Sequence, residues 1–153
     1  MKQLKVLYIH HTGAFSGGAR SLIELIKCFP EDKIQPIVLG QKGTALNAFA
    51  ELKNVEIIPV RGLSSFNHTK VSYYKKHRWL VLLRELLYLP TTIFTLYKLG
   101  KKHRDVDILH FNEITNLPSI VIANMFFRNK PKVVHVRSVQ QDIHGKFRKK
   151  IFA

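Results

Sequence analysis

Apolar positions along this chain fall into short continuous runs separated by stretches with helical spacing. Val6-Leu7-Tyr8-Ile9 is an apolar run bounded by turn residues, the pattern of a buried strand. Thr12, Gly13, Ser16, Gly17 and Gly18 then break the regularity. From Ala19 the apolar positions are Ala19, Leu22, Ile23, Ile26 and Phe29, one face of a helix. Ile34 to Leu39 reads as a second strand. Thr44 to Leu52 reads as a short helix with Thr44 as its cap after Gly43, and Val55 to Val60 as a third strand. A long helix is expected in the greasiest region, Trp79 to Leu99. Asp107 to Phe111 is a fourth strand. Asn116 to Phe127 is a helix with Asn116 as cap and Pro118 in its first turn. Lys132 to Val136 is a fifth strand, followed by a basic tail. Strands alternating with helices, the strands themselves apolar, predict an α/β fold: a Rossmann-like, doubly wound, mainly parallel sheet with helices on both faces.

In such sheets ligands bind outside the carboxyl ends of the strands. That rule singles out His10–Gly18, Gly40–Gly43, Arg61–Ser65, His110–Glu113 and Arg137–Gln140. The first of these feeds a strand into a helix through glycines, an arrangement that turns free backbone N–H groups and the helix dipole toward an anion. The competing reading is a turn that uses glycine for its geometry alone. Two stricter phosphate motifs fail. Gly13 and Gly18 have P-loop spacing, but Ala19 stands where the lysine belongs. A dinucleotide fingerprint needs an acidic residue after the second strand, and Leu39-Gly40-Gln41-Lys42 supplies none.

Length and charge narrow the partners. At 153 residues the chain is expected to be a single domain able to bury its own core. Its net charge of +15 points to anionic partners: nucleic acid, an acidic membrane or phosphorylated substrates. From Ile57 to Arg104 the only acidic residue is Glu85. Lys70, Lys75, Lys76 and Arg78, beside Tyr73, Tyr74 and Trp79, have the make-up of a surface that lies on an anionic membrane, or of a solvated basic loop ahead of a core helix. No nucleic-acid-binding module accompanies the charge, so nucleic acid is not expected. The single Cys28 cannot form an internal disulfide, which suggests a reducing compartment, and it reads as a small apolar residue of the first helix. No signal peptide is expected. No membrane span is expected either, because Arg84, Glu85, Pro90 and Lys98 interrupt the apolar region.

Catalytic motifs are few. There is no Gly-x-Ser-x-Gly elbow and no His-Glu-x-x-His, so neither a nucleophile elbow nor a metal site is expected. His10 and His11, adjacent at a strand end, should point to opposite sides. His110-Phe111-Asn112-Glu113 is the best polar cluster, suited to hydrogen bonding a polyhydroxyl ligand, with a histidine tied into its own loop as the alternative for His110. His135 and Arg137 fall on one strand face, and Arg137 could clamp a phosphate or be ion-paired at the strand end.

Three landmarks in this order resemble the N-terminal, acceptor-side half of a family-4 glycosyltransferase of the GT-B fold. They are Gly17-Gly18-Ala19; Asp107-Ile108-Leu109-His110 with Asn112-Glu113 and Pro118-Ser119; and Lys132-Val133-Val134-His135-Val136-Arg137. The resemblance covers nearly the whole chain. It implies that Gly17 and Gly18 approach the diphosphate of a nucleotide-sugar donor, and that His11, His110, Asn112, Glu113, Arg137 and Ser138 line the acceptor side. It implies a retaining transfer of a sugar to a lipid-linked or polysaccharide acceptor, as in cell-envelope polysaccharide synthesis. No cofactor is expected, since the nucleotide sugar is a substrate. The setting would be the cytoplasm, peripheral on the inner face of the plasma membrane, with Lys70, Lys75, Lys76, Arg78 and Trp79 as the docking surface. Three departures stand out. Arg137 replaces the histidine that often ends the fifth strand, Arg20 replaces a frequent glutamate, and the C-terminal domain with its paired glutamates is absent from this chain. On this reading the chain is a half-enzyme, inactive alone. The alternative is a non-enzymatic basic domain that binds a membrane or a polyanion.

Overall fold

The computed structural model describes residues 3–66 and 79–137. Lys70, Lys75, Lys76, Arg78 and Ser138 lie outside the described residues. The elements run β1 (Leu4–His10), α1 (Gly17–Lys27), β2 (Ile34–Gln41), α2 (Thr44–Ala50), β3 (Glu56–Val60), α3 (Trp79–Lys102), β4 (Ile108–Phe111), a 3₁₀ turn (Ile114–Asn116), α4 (Leu117–Phe126) and β5 (Lys132–Val134). The strands form one five-stranded sheet in the order β3-β2-β1-β4-β5, and every pairing is parallel. The fold is therefore α/β and Rossmann-like, as the alternation of elements predicts.

Side-chain alternation divides the core in two. Leu7, Ile9, Ile37, Leu39, Leu109 and Phe111 face one side and pack with Leu96 and Leu99 of α3 and Ile120, Ile122 and Ala123 of α4. Val6, Tyr8 and Val38 face the other side, against Ala19, Leu22, Ile23 and Ile26 of α1 and Ala45, Leu46 and Phe49 of α2. Both faces of the central strands are thus dry, which is why those strands read as unbroken apolar runs. Full burial of each such aliphatic side chain contributes about 1.5–3 kcal/mol.

Several boundaries differ from the sequence expectation. β5 is shorter, ending at Val134, although the His135 N–H still donates to Phe111 O of β4 at 3.0 Å. Helix α1 begins at Gly17, so both glycines belong to its first turn. Thr44 is the first helical residue of α2, not its cap. Gly43 takes the cap position at φ 154°, open only to glycine, and Thr44 Oγ1 instead accepts the Phe15 N–H at 2.9 Å. Cys28 caps the end of α1 and is exposed, not apolar core.

The long helix expected over Trp79–Leu99 is present as α3, running on to Lys102. The charges and Pro90 that break the apolar run in sequence all lie within one continuous helix of 24 residues. By length and composition this helix is long enough and apolar enough to cross a membrane. Here it packs on the domain. Glu85, 2% exposed, accepts the backbone N–H of Ser65 at 2.6 Å and an N–H of Arg84, also at 2.6 Å. Thr92 Oγ1 accepts the Ser64 N–H at 2.9 Å. The loop after β3 is thereby stitched to two turns of α3. Replacing Glu85 by alanine leaves a buried N–H without a partner and should lower stability by about 1–3 kcal/mol in urea unfolding. Unchanged stability would show that α3 is held by its apolar contacts alone.

Candidate functional site at the switch point

The chain winds outward from β1 through β2 to β3, then returns to the other side of β1 as β4. The carboxyl ends of β1 and β4 therefore flank the crevice where doubly wound sheets bind ligands. The register pairs Tyr8 with His110 and Ile9 with Phe111, so His10 and Asn112 come level at the next position.

Asn112 is the junction of this site. It is 1% exposed, and each polar atom of its amide is used. Its Nδ2 donates to the Gly18 carbonyl at 3.0 Å and contacts His10 Nδ1 at 3.0 Å. Its Oδ1 accepts Arg137 Nη2 at 2.9 Å, and its backbone carbonyl accepts Arg137 Nε at 3.0 Å. Its own N–H donates to Ile9 O at 3.1 Å. A carbonyl on one side and a guanidinium on the other fix the amide orientation, since only NH₂ can meet the first and only oxygen the second. His10 Nδ1 is then an acceptor, and its proton sits on Nε2, which is buried without a partner among the described residues.

Four histidines surround this junction. Burial pushes His10 down to about 4, with His11 and Arg137 adding repulsion. Burial alone pushes His11 to about 4. His110 is also lowered to about 4, by burial first and then by His135 and Arg137. His135 is lowered by burial and by Arg137, while Glu113 pulls it the other way. At neutral pH the site is lined by uncharged imidazoles, and its positive charge comes from Arg137 and the α1 dipole.

The expected residues gather unequally. His10 packs edge-on against Phe49, while His11 Nε2 reaches Thr115 Oγ1 at 3.4 Å, so the two point apart as alternation requires. His110 is not tied into its own loop. Neither of its ring nitrogens has a partner among the described residues, and the ring packs against Tyr8 and, at 4.6 Å, against His135. Glu113 Oε1 accepts the Ile114 N–H at 3.1 Å and caps the 3₁₀ turn. Arg137 is not ion-paired with any described residue, and it is not turned outward as a free clamp. Two of its nitrogens are spent on Asn112, and Nη2 also contacts His135 Nδ1 at 2.8 Å. Asn116, fully buried at the cap position of α4 that the sequence predicts, also donates to Ile9 O at 3.3 Å, a contact that a cap position does not reveal.

The glycines decide between turn and cradle. A Cβ at Gly17 would meet nothing within 4 Å, and one at Gly18 would sit 3.7 Å from Asn112 Nδ2 and from Ser16 Oγ, an ordinary contact. Neither has a positive φ. By contrast, a Cβ at Gly13 would lie 2.8 Å from the Lys42 carbonyl and one at Gly40 2.7 Å from Leu46, so those glycines serve packing. At Gly17 and Gly18 the fold has no use for glycine, while the first-turn N–H groups of α1 have no partner within the helix. Ser16 caps this end through its backbone only, and no acidic side chain occupies the first turn.

Comparison with protein-family models, with curated proteins and with solved structures finds no match.

Two outcomes follow from this geometry. Gly17→Ala and Gly18→Ala should leave thermal stability unchanged or raise it by about 0.4–1 kcal/mol, since alanine loses less chain entropy on folding. A loss of stability would show that the glycines serve the turn. The buried histidines set the acid response. Their folded pKa values lie below the ordinary 6.5, so protons bind the unfolded chain first. The stability they permit is complete above pH 6.5 and is lost as pH falls toward 4, by up to about 4 kcal/mol per pH unit where all three titrate together. Urea midpoints that stay level between pH 7 and 5 would contradict neutral, buried imidazoles.

Proposed function

We propose that this chain is the acceptor-side domain of a retaining glycosyltransferase of GT-B type, and that the switch-point site faces the diphosphate of a nucleotide-sugar donor and the hydroxyl groups of its acceptor. One observation carries the reading. Two glycines that the fold itself does not require open the amino end of α1, and the Gly18 carbonyl is tied directly to the Asn112–His10–Arg137 network. A diphosphate needs close backbone approach and N–H donors, which glycines at a helix start supply. His10 Nε2 and both ring nitrogens of His110 are buried without a partner among the described residues, so they would meet sugar hydroxyls only once the acceptor displaces the side chains over them.

In this reading the chain's contribution is positioning and charge stabilisation. The α1 amino end and Arg137 stabilise the charge that gathers on the leaving diphosphate. Asn112 keeps Arg137 and His10 in place, so that little reorganisation is needed at the moment of transfer. The nucleotide would be held by a second domain, and turnover requires it. The donor is a substrate and no cofactor takes part. The acceptor would be a lipid-linked or polysaccharide glycan, handled in the cytoplasm at the inner membrane face.

The test is radiolabelled sugar transfer by the longest reading frame that contains this chain, supplied with uridine, guanosine and adenosine diphosphate sugars and with lipid extract as acceptor. Transfer or donor hydrolysis is expected, and Asn112→Ala should lower it by about 10²-fold or more through misplacement of Arg137 and His10. No turnover with any donor would remove the transferase reading. Normal turnover in Asn112→Ala would show that the network is not part of the site.

A further inference from the structure

A pocket opens at the edge of the sheet opposite the switch point, where α1 and α2 end and β2 begins. It holds about 300 Å³. Its floor is Tyr8 of β1, Ile26 of α1 and Pro36 of β2, all buried. Phe29, Ile34 and Leu52 complete the apolar wall. Tyr8 makes this more than a packing gap. It is 2% exposed, and a buried tyrosine hydroxyl ordinarily finds a partner. None of the described residues hydrogen-bonds it. Unlike the enclosed nitrogens of His110, the hydroxyl is not shut off from the surface, because Tyr8 lines the pocket. Burial pushes its pKa up to about 12, so at neutral pH it is an uncharged phenol able to donate and to accept. The same ring packs edge-on against His110, with 5.1 Å between centroids.

The mouth of the pocket is tied together and balanced in charge. Lys27, Lys53, Glu31 and Glu51 border it, two cations and two carboxylates, in a chain with 25 Lys and Arg against 10 Asp and Glu. Asn54, in the left-handed region at φ 59°, donates from Nδ2 to Glu31 Oε2 at 2.6 Å. That bond joins the α1–β2 connection to the α2–β3 connection, both of which border the pocket. Gln3 Nε2, just ahead of β1, donates to Glu31 O at 2.7 Å. Glu31 is thus occupied in holding the rim, and Lys27 Nζ lies 3.2 Å from Glu24. Glu51 and Lys53 have no ion-pair partner among the described residues. The mouth therefore offers one carboxylate and one ammonium above an apolar cavity with a single hydroxyl at its floor.

We infer that this pocket binds a free aromatic amino acid whose ring carries a polar atom, with that atom on the Tyr8 hydroxyl, the ammonium at Glu51 and the carboxylate at Lys53. The class follows from what the walls can satisfy. The volume is at the low end of small-ligand pockets, which run from about 300 to 1,000 Å³, so it suits one ring system with a short head. Apolar walls around one neutral hydroxyl select a ring with a single polar substituent. The balanced mouth selects a zwitterion. A plain anion would face Glu51 and a plain cation Lys53, each a like-charge contact. An alkyl chain would leave the Tyr8 hydroxyl unmatched. The pocket shares no residue with the switch-point site and does not depend on the transferase reading. The two edges of the sheet meet only through the Tyr8 ring on His110.

Chemical-shift titration of the isotopically labelled chain with L-tyrosine tests it without donor or acceptor. Saturable shifts are expected at Tyr8, Leu52 and Asn54, a smaller one at His110, and none at the Gly17 and Gly18 amides. L-Phenylalanine should bind about two- to tenfold more weakly, the effect of one hydrogen bond. Tyr8→Phe should erase that preference with the fold intact, because the hydroxyl it removes holds no described residue. Tyramine, which lacks the carboxylate, and 4-hydroxyphenylpropionate, which lacks the ammonium, should each bind about two- to fivefold more weakly than L-tyrosine. Lys53→Gln and Glu51→Gln, at exposed positions, should cost L-tyrosine the same factors. No saturation by L-tyrosine up to its solubility limit would overturn the inference. So would an unchanged preference over L-phenylalanine in Tyr8→Phe, equal binding of the two singly charged analogues and L-tyrosine, or shifts confined to the switch-point residues.

Discussion

One buried amide organises the carboxyl edge of this sheet. Asn112 joins the end of β4 to the end of β1 through His10, to the start of α1 through the Gly18 carbonyl, and to the segment after β5 through Arg137. The first two of these partners lie about a hundred residues from Asn112 in the chain. An amide in a dry site must satisfy both donors and its acceptor or cost the full desolvation penalty, so the network is specified as a whole. A single orientation of Asn112 sets the His10 tautomer, holds the Arg137 guanidinium inward and fixes the first turn of α1 against the sheet. The rest of the site, including the stacked His110 and His135, is arranged around that junction.

The fold was legible because its central strands are buried on both faces. Runs such as Val6–Ile9 and Ile34–Leu39 can be neither amphipathic strands nor surface helices, and their alternation with helical spacing leaves little besides a parallel sheet. The ends of elements were less legible, since tertiary contacts set them. Thr44 has the chemistry of a helix cap, yet the close approach of Gly43 to the Gly13 loop moves the cap back one residue and gives Thr44 to Phe15. The long helix over Trp79–Leu99 was legible, but not that Glu85 and Thr92 on it meet backbone donors in the loop after β3.

The site was legible by position and not by connection. The strand-end rule selected Gly17, Gly18, His110, Asn112 and Arg137, and the structure places them at one edge. Which atoms meet depends on the β1–β4 register, and nothing in a single sequence states that register. So His10 was underrated, and Arg137 was expected to face a ligand when two of its nitrogens hold Asn112. The same division applies to Tyr8. Its place in an apolar strand was plain, but only the folded chain shows that it floors a pocket where α1 and α2 end.

The central claim is that the amino end of α1 and the Asn112 network form an anion cradle. Amide chemical-shift mapping on a ¹⁵N-labelled chain titrated with uridine diphosphate tests it most directly. The account predicts saturable shifts at the Gly17, Gly18 and Ala19 amides and at Arg137 Nε–H, lost in Asn112→Ala. Shifts confined to the amides around Lys101 and Arg128, or none at the α1 amino end, would contradict it.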